Sequence, residues 1–194
     1  GYIKVSTMDN TYIEHIHQGL NTLTYWGPIQ KVSGKEARSL GLKERRKVHV
    51  LTWEEQIVLF NEFPPHLRRM AEFAINTGCR AKEVLELKWE WFHTDPTSGI
   101  QYFIIPGEEH KNEQSRIVVL NEVALRVTNQ CRGVHPVFVF TYEGEPIKRI
   151  NSSAFQNARR RASFKLSSIA MSHVHSWRHT FGTRLRNQAL CPDE

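Results

Sequence analysis

No stretch of the 194-residue chain stays apolar for the roughly eighteen residues a membrane helix needs, and no charged-then-apolar leader with a small-residue cleavage site opens it. Neither a membrane span nor secretion is expected, and a cytoplasmic location is. Cysteine is scarce: Cys79, Cys131 and Cys191 are odd in number, far apart and without a C-x-x-C pair. That pattern fits reduced thiols used in packing better than a disulfide framework or a zinc ribbon. Internal repeats and low-complexity segments are also missing. What is present is 40% hydrophobic residues, enough to bury one sizeable core plus a small appendage.

The net charge is +6 and the isoelectric point about 9.4, and the basic excess is clustered. Lys43, Arg45, Arg46 and Lys47 form one group; Arg159, Arg160, Arg161 and Lys165 form another. Nucleic acid is the commonest partner that such clusters meet, because neutralised phosphates release counterions. Charge alone fits a solvated helix face equally well.

Along the chain, Ile13, Ile16, Leu20 and Leu23 sit at helical spacing within residues 9–24, with Asp9 or Asn10 able to cap. Residues 27–49 are polar, basic and glycine-containing, which reads as a linker. One helix cannot fold alone, so residues 1–26 are expected to be the remnant of a neighbouring domain. From residue 50 to 194 a main domain follows. Thr52 and Glu55 form a capping box opening a helix to about Glu62. Pro64 and Pro65 start a second helix that stops at Gly78, and a short third carries Val84, Leu85 and Leu87. Segments 101–106 and 115–120 read as a β-hairpin, with Lys111 in or beside its turn. Asn121 caps a helix over 122–131, Val137–Phe140 reads as a short strand, residues 152–164 as a basic helix, and 173–189 as an amphipathic helix. The fold class expected is α+β, mostly helical with a small antiparallel sheet.

Arg80 follows a helix stop, in a corner suited to anion recognition by its planar fork of donors. A salt bridge to Glu83 or Glu86 is the plainer use of such an arginine. His175 and Arg178, three apart, pair a proton-transfer group with a second fork, as phosphoryl transfer requires. A metal held by His173, His175 and His179 is disfavoured, because no nearby carboxylate or cysteine completes a set and the arginines would repel the cation. Trp177 and Phe181 read as core anchors, and His179 as a structural hydrogen-bonder.

Three segments in order, T-G-C-R-A-K-E-V-L-E-L-K-W, H-K-N-E-Q-S-R-I-V-V-L and H-S-W-R-H-T-F-G-T, resemble the motif boxes of tyrosine recombinases, the phage-integrase family. The resemblance extends from about residue 9 to 194, the first helix being similar to the last helix of that family's core-binding domain. It implies an integrase-like DNA breaking and rejoining fold, and site-specific recombination through a covalent 3′-phosphotyrosyl intermediate without metal or nucleotide cofactor. Arg80 and Arg178 would grip the non-bridging oxygens of the scissile phosphate, and Lys111 would protonate the leaving 5′-oxygen. His175 would act as acid or base, with Glu83 and His179 in support. The basic residues Lys43, Arg45, Arg46, Lys47, Arg159, Arg160 and Arg161 would face DNA.

In the family, the nucleophilic tyrosine lies beyond the H-x-x-R helix. Here Tyr2, Tyr12, Tyr25, Tyr102 and Tyr142 all precede His175, so the nucleophile is expected beyond Glu194 and the chain by itself is expected to be inactive. The partners implied are double-stranded DNA, at the nucleoid, and further recombinase subunits, four in the full-length assembly. Two rivals share the features. A type IB topoisomerase uses a similar site, though the linker and first helix favour a recombinase; a non-catalytic DNA-binding module could keep the clamp without a nucleophile.

Overall fold

The computed structural model describes residues 48–107 and 114–190, all within a compact unit running from Val48 to Glu194. The helix expected over 9–24, most of the 27–49 linker, the basic group from Lys43 to Lys47, Lys111 and Cys191 lie outside the described residues. No described helix is long and apolar enough to cross a membrane.

Helix α1 (Trp53–Glu62) opens with the expected capping box: Glu55 N donates to Thr52 Oγ1 at 3.1 Å, and Thr52 N donates to the Glu55 carboxylate at 2.8 Å. Helix α2 (Pro65–Thr77) begins with proline in its first turn, where a missing N–H costs nothing, and ends at Gly78 in the left-handed region, φ 63°. Helix α3 (Ala81–Leu85) is one turn and stops before Leu87. A 3-10 turn (Trp89–Trp91) leads into β1 (Phe92–Thr94), which pairs antiparallel with β2 (Gln101–Ile105). β2 in turn pairs with β3 (Arg116–Val119), completing the expected hairpin and a three-stranded sheet. Helix α4 (Glu122–Gln130) is capped by Asn121, which accepts from Ala124 N at 2.9 Å. A two-residue ribbon, β4 (Thr141–Tyr142) and β5 (Glu145–Pro146), precedes α5 (Ser153–Lys165). A second 3-10 turn (Ser167–Met171) leads to α6 (Val174–Leu190). The architecture is α+β, mostly helical with small antiparallel sheets.

One expected element is corrected. Residues 137–140 form no strand; Phe138 makes a single bridge to Lys88, flanked by Trp89 N to Val137 O and Val139 N to Leu87 O, both 2.9 Å. The ladder cannot continue, because the partner segment winds into the 3-10 turn at Trp89 and Pro136 supplies no donor. Strand β1, three residues long, was too short for alternation to reveal.

Helix α2 is central and packs against both α4 and α6, while α1 packs against α5. Trp177 of α6, 1% exposed, meets the rings of Phe60, Phe63 and Phe155 edge-on at 6.3, 6.0 and 5.9 Å. Further along α6, Thr180 Oγ1 accepts from Leu51 N at 2.9 Å, and the Arg184 guanidinium lies 3.5 Å above the Trp53 ring. Cys79 and Cys131 are free and buried, as packing residues should be.

Two consequences are measurable by chemical denaturation. Trp177→Ala removes the ring shared by α1, α5 and α6, and is expected to cost about 3–5 kcal/mol of stability. Gly78→Ala carries two penalties: a side chain in a left-handed conformation, about 1–2 kcal/mol, and a Cβ 2.4 Å from Phe181 Cδ1. Adding Phe181→Leu should recover the contact penalty and leave the backbone one; full recovery would mean that the backbone is unstrained there.

A candidate phosphate clamp at the 77–83 corner

The corner between α2 and α3 gathers three guanidinium groups around one carboxylate. Gly78 turns the chain, and two residues later Arg80 precedes α3, placing Glu83 in the third position of that helix. There the Glu83 carboxylate reaches back to accept Arg80 N at 2.6 Å and the Arg80 Nη1 at 2.8 Å. Its side chain is 1% exposed, whereas that of Arg80 is 48% exposed. The plainer pairing anticipated for Arg80 is therefore present, with Glu83 as partner, while half of its fork remains open to solvent. Glu86 pairs instead with Lys82 at 3.5 Å.

Arg116, the first residue of β3, enters the same corner. Its Nη1 donates to Glu83 Oε2 at 2.5 Å, and its Nη2 to the carbonyls of Thr77 and Gly78 at 3.4 and 3.3 Å. Arg178, from α6, donates to the same Gly78 carbonyl. Burial would raise the Glu83 pKa, but the Arg80 amide and guanidinium and the Arg116 charge outweigh it and hold the carboxyl below its ordinary range. Burial, with the neighbouring charges of Arg116 and Arg80, lowers the pKa of Arg178. An arginine starts so high that it stays charged. Three cations against one anion leave a positive excess, which suits a phosphate. Cys79, in the middle of the corner, is not a nucleophile: burial pushes its thiol up to about 11.

His175 is exposed in the first turn of α6, one turn before Arg178 and on the same face. That turn is set from both sides. Ser176 Oγ accepts from His173 N at 3.0 Å, and Arg159 of α5 donates to Ser172 O at 3.0 Å. His175 thus sits where the amide dipoles of α6 favour an anion. His179 is exposed, with no hydrogen-bond partner among the described residues, so the structural hydrogen bond expected of it is not seen there.

The α5 arginines have divided roles. Arg159 is bonded to Ser172 and to Gln156 at 2.7 Å, and Arg161 to Glu62 of α1 at 2.8 Å, where Lys165 joins at 2.6 Å. Arg160 is exposed and lines a shallow groove with Arg159, Asn157, Ser163 and Ala170. Of the described tyrosines, Tyr102 stacks on His93 and Tyr142 meets His66 at a tilt of 48°, and neither is hydrogen-bonded to a corner arginine. The phenol of Tyr142 is held above its ordinary pKa by the Glu143 carboxylate. Among the described residues no group of three or more His, Cys, Asp or Glu side chains is placed to hold a metal.

Arg116 was not singled out from the sequence, although a signal existed. Strand alternation puts it on the same face as the buried Val118, and a charge on a buried face needs a partner.

The chain resembles known proteins in sequence and in fold. The chain is 26% identical over 150 residues to the integrase of Salmonella phage P22, covering 73% of this chain and 38% of that protein. Three solved structures are similar in fold. The Tn1549 transposon integrase in complex with circular intermediate DNA has a TM-score of 0.59 at 15% identity, covering 96% of this chain and 69% of that one. The lambda integrase tetramer bound to a Holliday junction has 0.53 at 17%, covering 92% and 55%. The XerH site-specific recombinase bound to difH substrate has 0.52 at 18%, covering 93% and 60%. The profile of the phage integrase family matches residues 52–193, a span that holds the entire arginine corner and the first turn of α6, and the chain belongs to that family.

Proposed function

We propose that this chain is the phosphate-gripping part of a tyrosine recombinase that cuts and rejoins double-stranded DNA at specific sites through a 3′-phosphotyrosyl intermediate. The observation that carries the reading is the convergence of Arg80, Arg116 and Arg178 on Glu83 and the Gly78 carbonyl. Arg80 and Arg178 hold the non-bridging oxygens of the scissile phosphate, where negative charge grows as the phosphorane forms. His175, at the start of α6, holds a third contact and exchanges a proton. Lys111 protonates the leaving 5′-oxygen, and Glu83 keeps Arg80 in place. The nucleophile is a tyrosine other than Tyr102 or Tyr142, since among the described residues neither is joined to the corner. The reaction needs no metal or nucleotide cofactor. The solved relatives include recombinases on DNA as dimers and as a tetramer, which supports DNA and further subunits as partners. Arg160 and the 43–47 group are the backbone contacts of this reading, with Arg159 and Arg161 serving DNA indirectly by fixing α5.

Incubated with a nicked suicide duplex, this chain is expected to bind without forming a covalent adduct. Binding should weaken with salt, log K falling by roughly 0.9 per neutralised phosphate for each tenfold rise. An adduct mapping to Tyr102 or Tyr142 would reject the assignment of the nucleophile, and a titration indifferent to salt would reject the phosphate clamp.

The second test uses the parent protein with its nucleophile. Arg80→Ala and Arg178→Ala should each slow cleavage by roughly a hundredfold or more, about 3–4 kcal/mol of transition-state stabilisation. Duplex affinity should change far less. Lys111→Ala should be rescued by a substrate with sulfur at the 5′-bridging position, because a thiolate leaves without a proton; the arginine variants should not. Rescue of Arg80→Ala with Lys111→Ala left inactive would reverse the two roles.

A further inference from the structure

The three corner arginines differ in how many donors the protein already uses. Arg80 commits Nη1 to Glu83, and Arg178 commits Nη1 to Gly78 O; among the described residues neither has a recorded bond from its other terminal nitrogen. Arg116 commits both, Nη1 to Glu83 and Nη2 to the Thr77 and Gly78 carbonyls. It is also less exposed, 29% against 48% for Arg80. A guanidinium bonded on both arms has little left to offer a phosphate, whereas one bonded on a single arm is aimed and still open.

From this we propose that Arg116 is a positioning residue of the cleavage site: it occupies Glu83 Oε2 and the 77–78 carbonyls, so that Arg80 presents its free arm to the phosphate. The inference rests on the phosphate-clamp reading. Glu83 has two oxygens and two guanidinium neighbours. While Arg116 holds Oε2, Arg80 is limited to Oε1 through one nitrogen. Without Arg116, Oε2 retains only the Arg80 backbone amide, and the side-chain donor at hand to answer the buried charge is the rest of the Arg80 fork. A bidentate Arg80–Glu83 pair would then turn the fork away from substrate. Arg116 also ties the sheet to the helical corner across 33 to 39 residues of chain, at the loop end of the hairpin whose sequence carries Lys111.

The test has two arms. In the parent protein, single-turnover cleavage of a suicide duplex is measured at saturating DNA beside duplex affinity. Arg116→Lys keeps the charge but cannot bridge a carboxylate and two carbonyls. It should lose roughly tenfold or more in cleavage rate, as mispositioning does, with affinity nearly unchanged. In a Glu83→Gln background, the same substitution should add little, because both act through Arg80. Cleavage by Arg116→Lys at the unsubstituted rate, or full multiplication of the two losses, would overturn the proposal.

The other arm needs no cleavage and uses this chain with inorganic phosphate, followed through the arginine Nε–H resonances. Those of Arg80 and Arg178 should move on titration while that of Arg116 stays, and Arg116→Lys should diminish the Arg80 response. Movement of Arg116 comparable to that of Arg80 makes it a direct ligand and overturns the proposal; no response from any of the three overturns the clamp. If the parent protein cleaves no duplex yet the titration behaves as described, the recombinase reading fails and the positioning role stands.

Discussion

A carboxylate with 1% of its side chain exposed is tolerable only if its charge is answered, and the answer to Glu83 organises everything around it. Its two oxygens receive one amide and two guanidinium groups, drawn from the α2–α3 corner and from β3. Because each of these donors belongs to a different part of the chain or points in a different direction, satisfying Glu83 fixes the corner's geometry. The arginine that faces solvent is aimed by the one carboxylate that does not. The same pairing retains a positive excess, since one anion is set against three cations. A fully neutralised corner would hold its shape but offer a phosphate nothing.

The corner would be of little use without α6, and α6 is placed by unrelated physics. Trp177 is locked among Phe60, Phe63 and Phe155, and one residue later Arg178 emerges on the adjoining face to meet the Gly78 carbonyl. Aromatic packing thereby sets the distance between Arg178 and the α2–α3 corner. Gly78 joins the two systems directly. Its left-handed φ ends α2, its carbonyl is shared by Arg116 and Arg178, and its missing side chain leaves room for the Phe181 ring. Any other residue would strain the turn and push against α6 together.

What could be read from the sequence follows from how local each feature is. The capping box at Thr52 and Glu55, the proline start at Pro65, the glycine stop at Gly78 and the Asn121 cap are each decided within four residues, and each is found where expected. The failures were decided at a distance. Residues 137–140 have the composition of a strand, yet their one bridge among the described residues is to a segment that turns into a 3-10 helix. β1 exists because β2 offers it an edge, and three residues carry no periodicity of their own. Arg80 and Arg178 were legible because the motif boxes name them. Arg116 lay inside one of those boxes and still went unnoticed, because its partners are 33 to 39 residues away and nothing local required them. Likewise, the triple Arg159–Arg160–Arg161 reads as one basic patch in sequence. Helical geometry splits it, sending Arg159 to the start of α6 and Arg161, still 52% exposed, to Glu62, and leaving the exposed Arg160 side chain bonded to no other described residue.

That split separates the arginines that hold the protein together from those left open to an anion. An arginine anchored to protein contributes no mobile fork, but it removes the freedom of the helix from which its neighbour projects. Arg159 does this for the first turn of α6, on which His175 sits, as Arg116 does for the fork of Arg80. In both places a bonded arginine lies beside an exposed candidate group, and the bonded one holds the backbone. Counting basic residues therefore overstates the number that can touch phosphate. Counting the guanidinium arms left open after the protein's own acceptors are satisfied gives the smaller set that can.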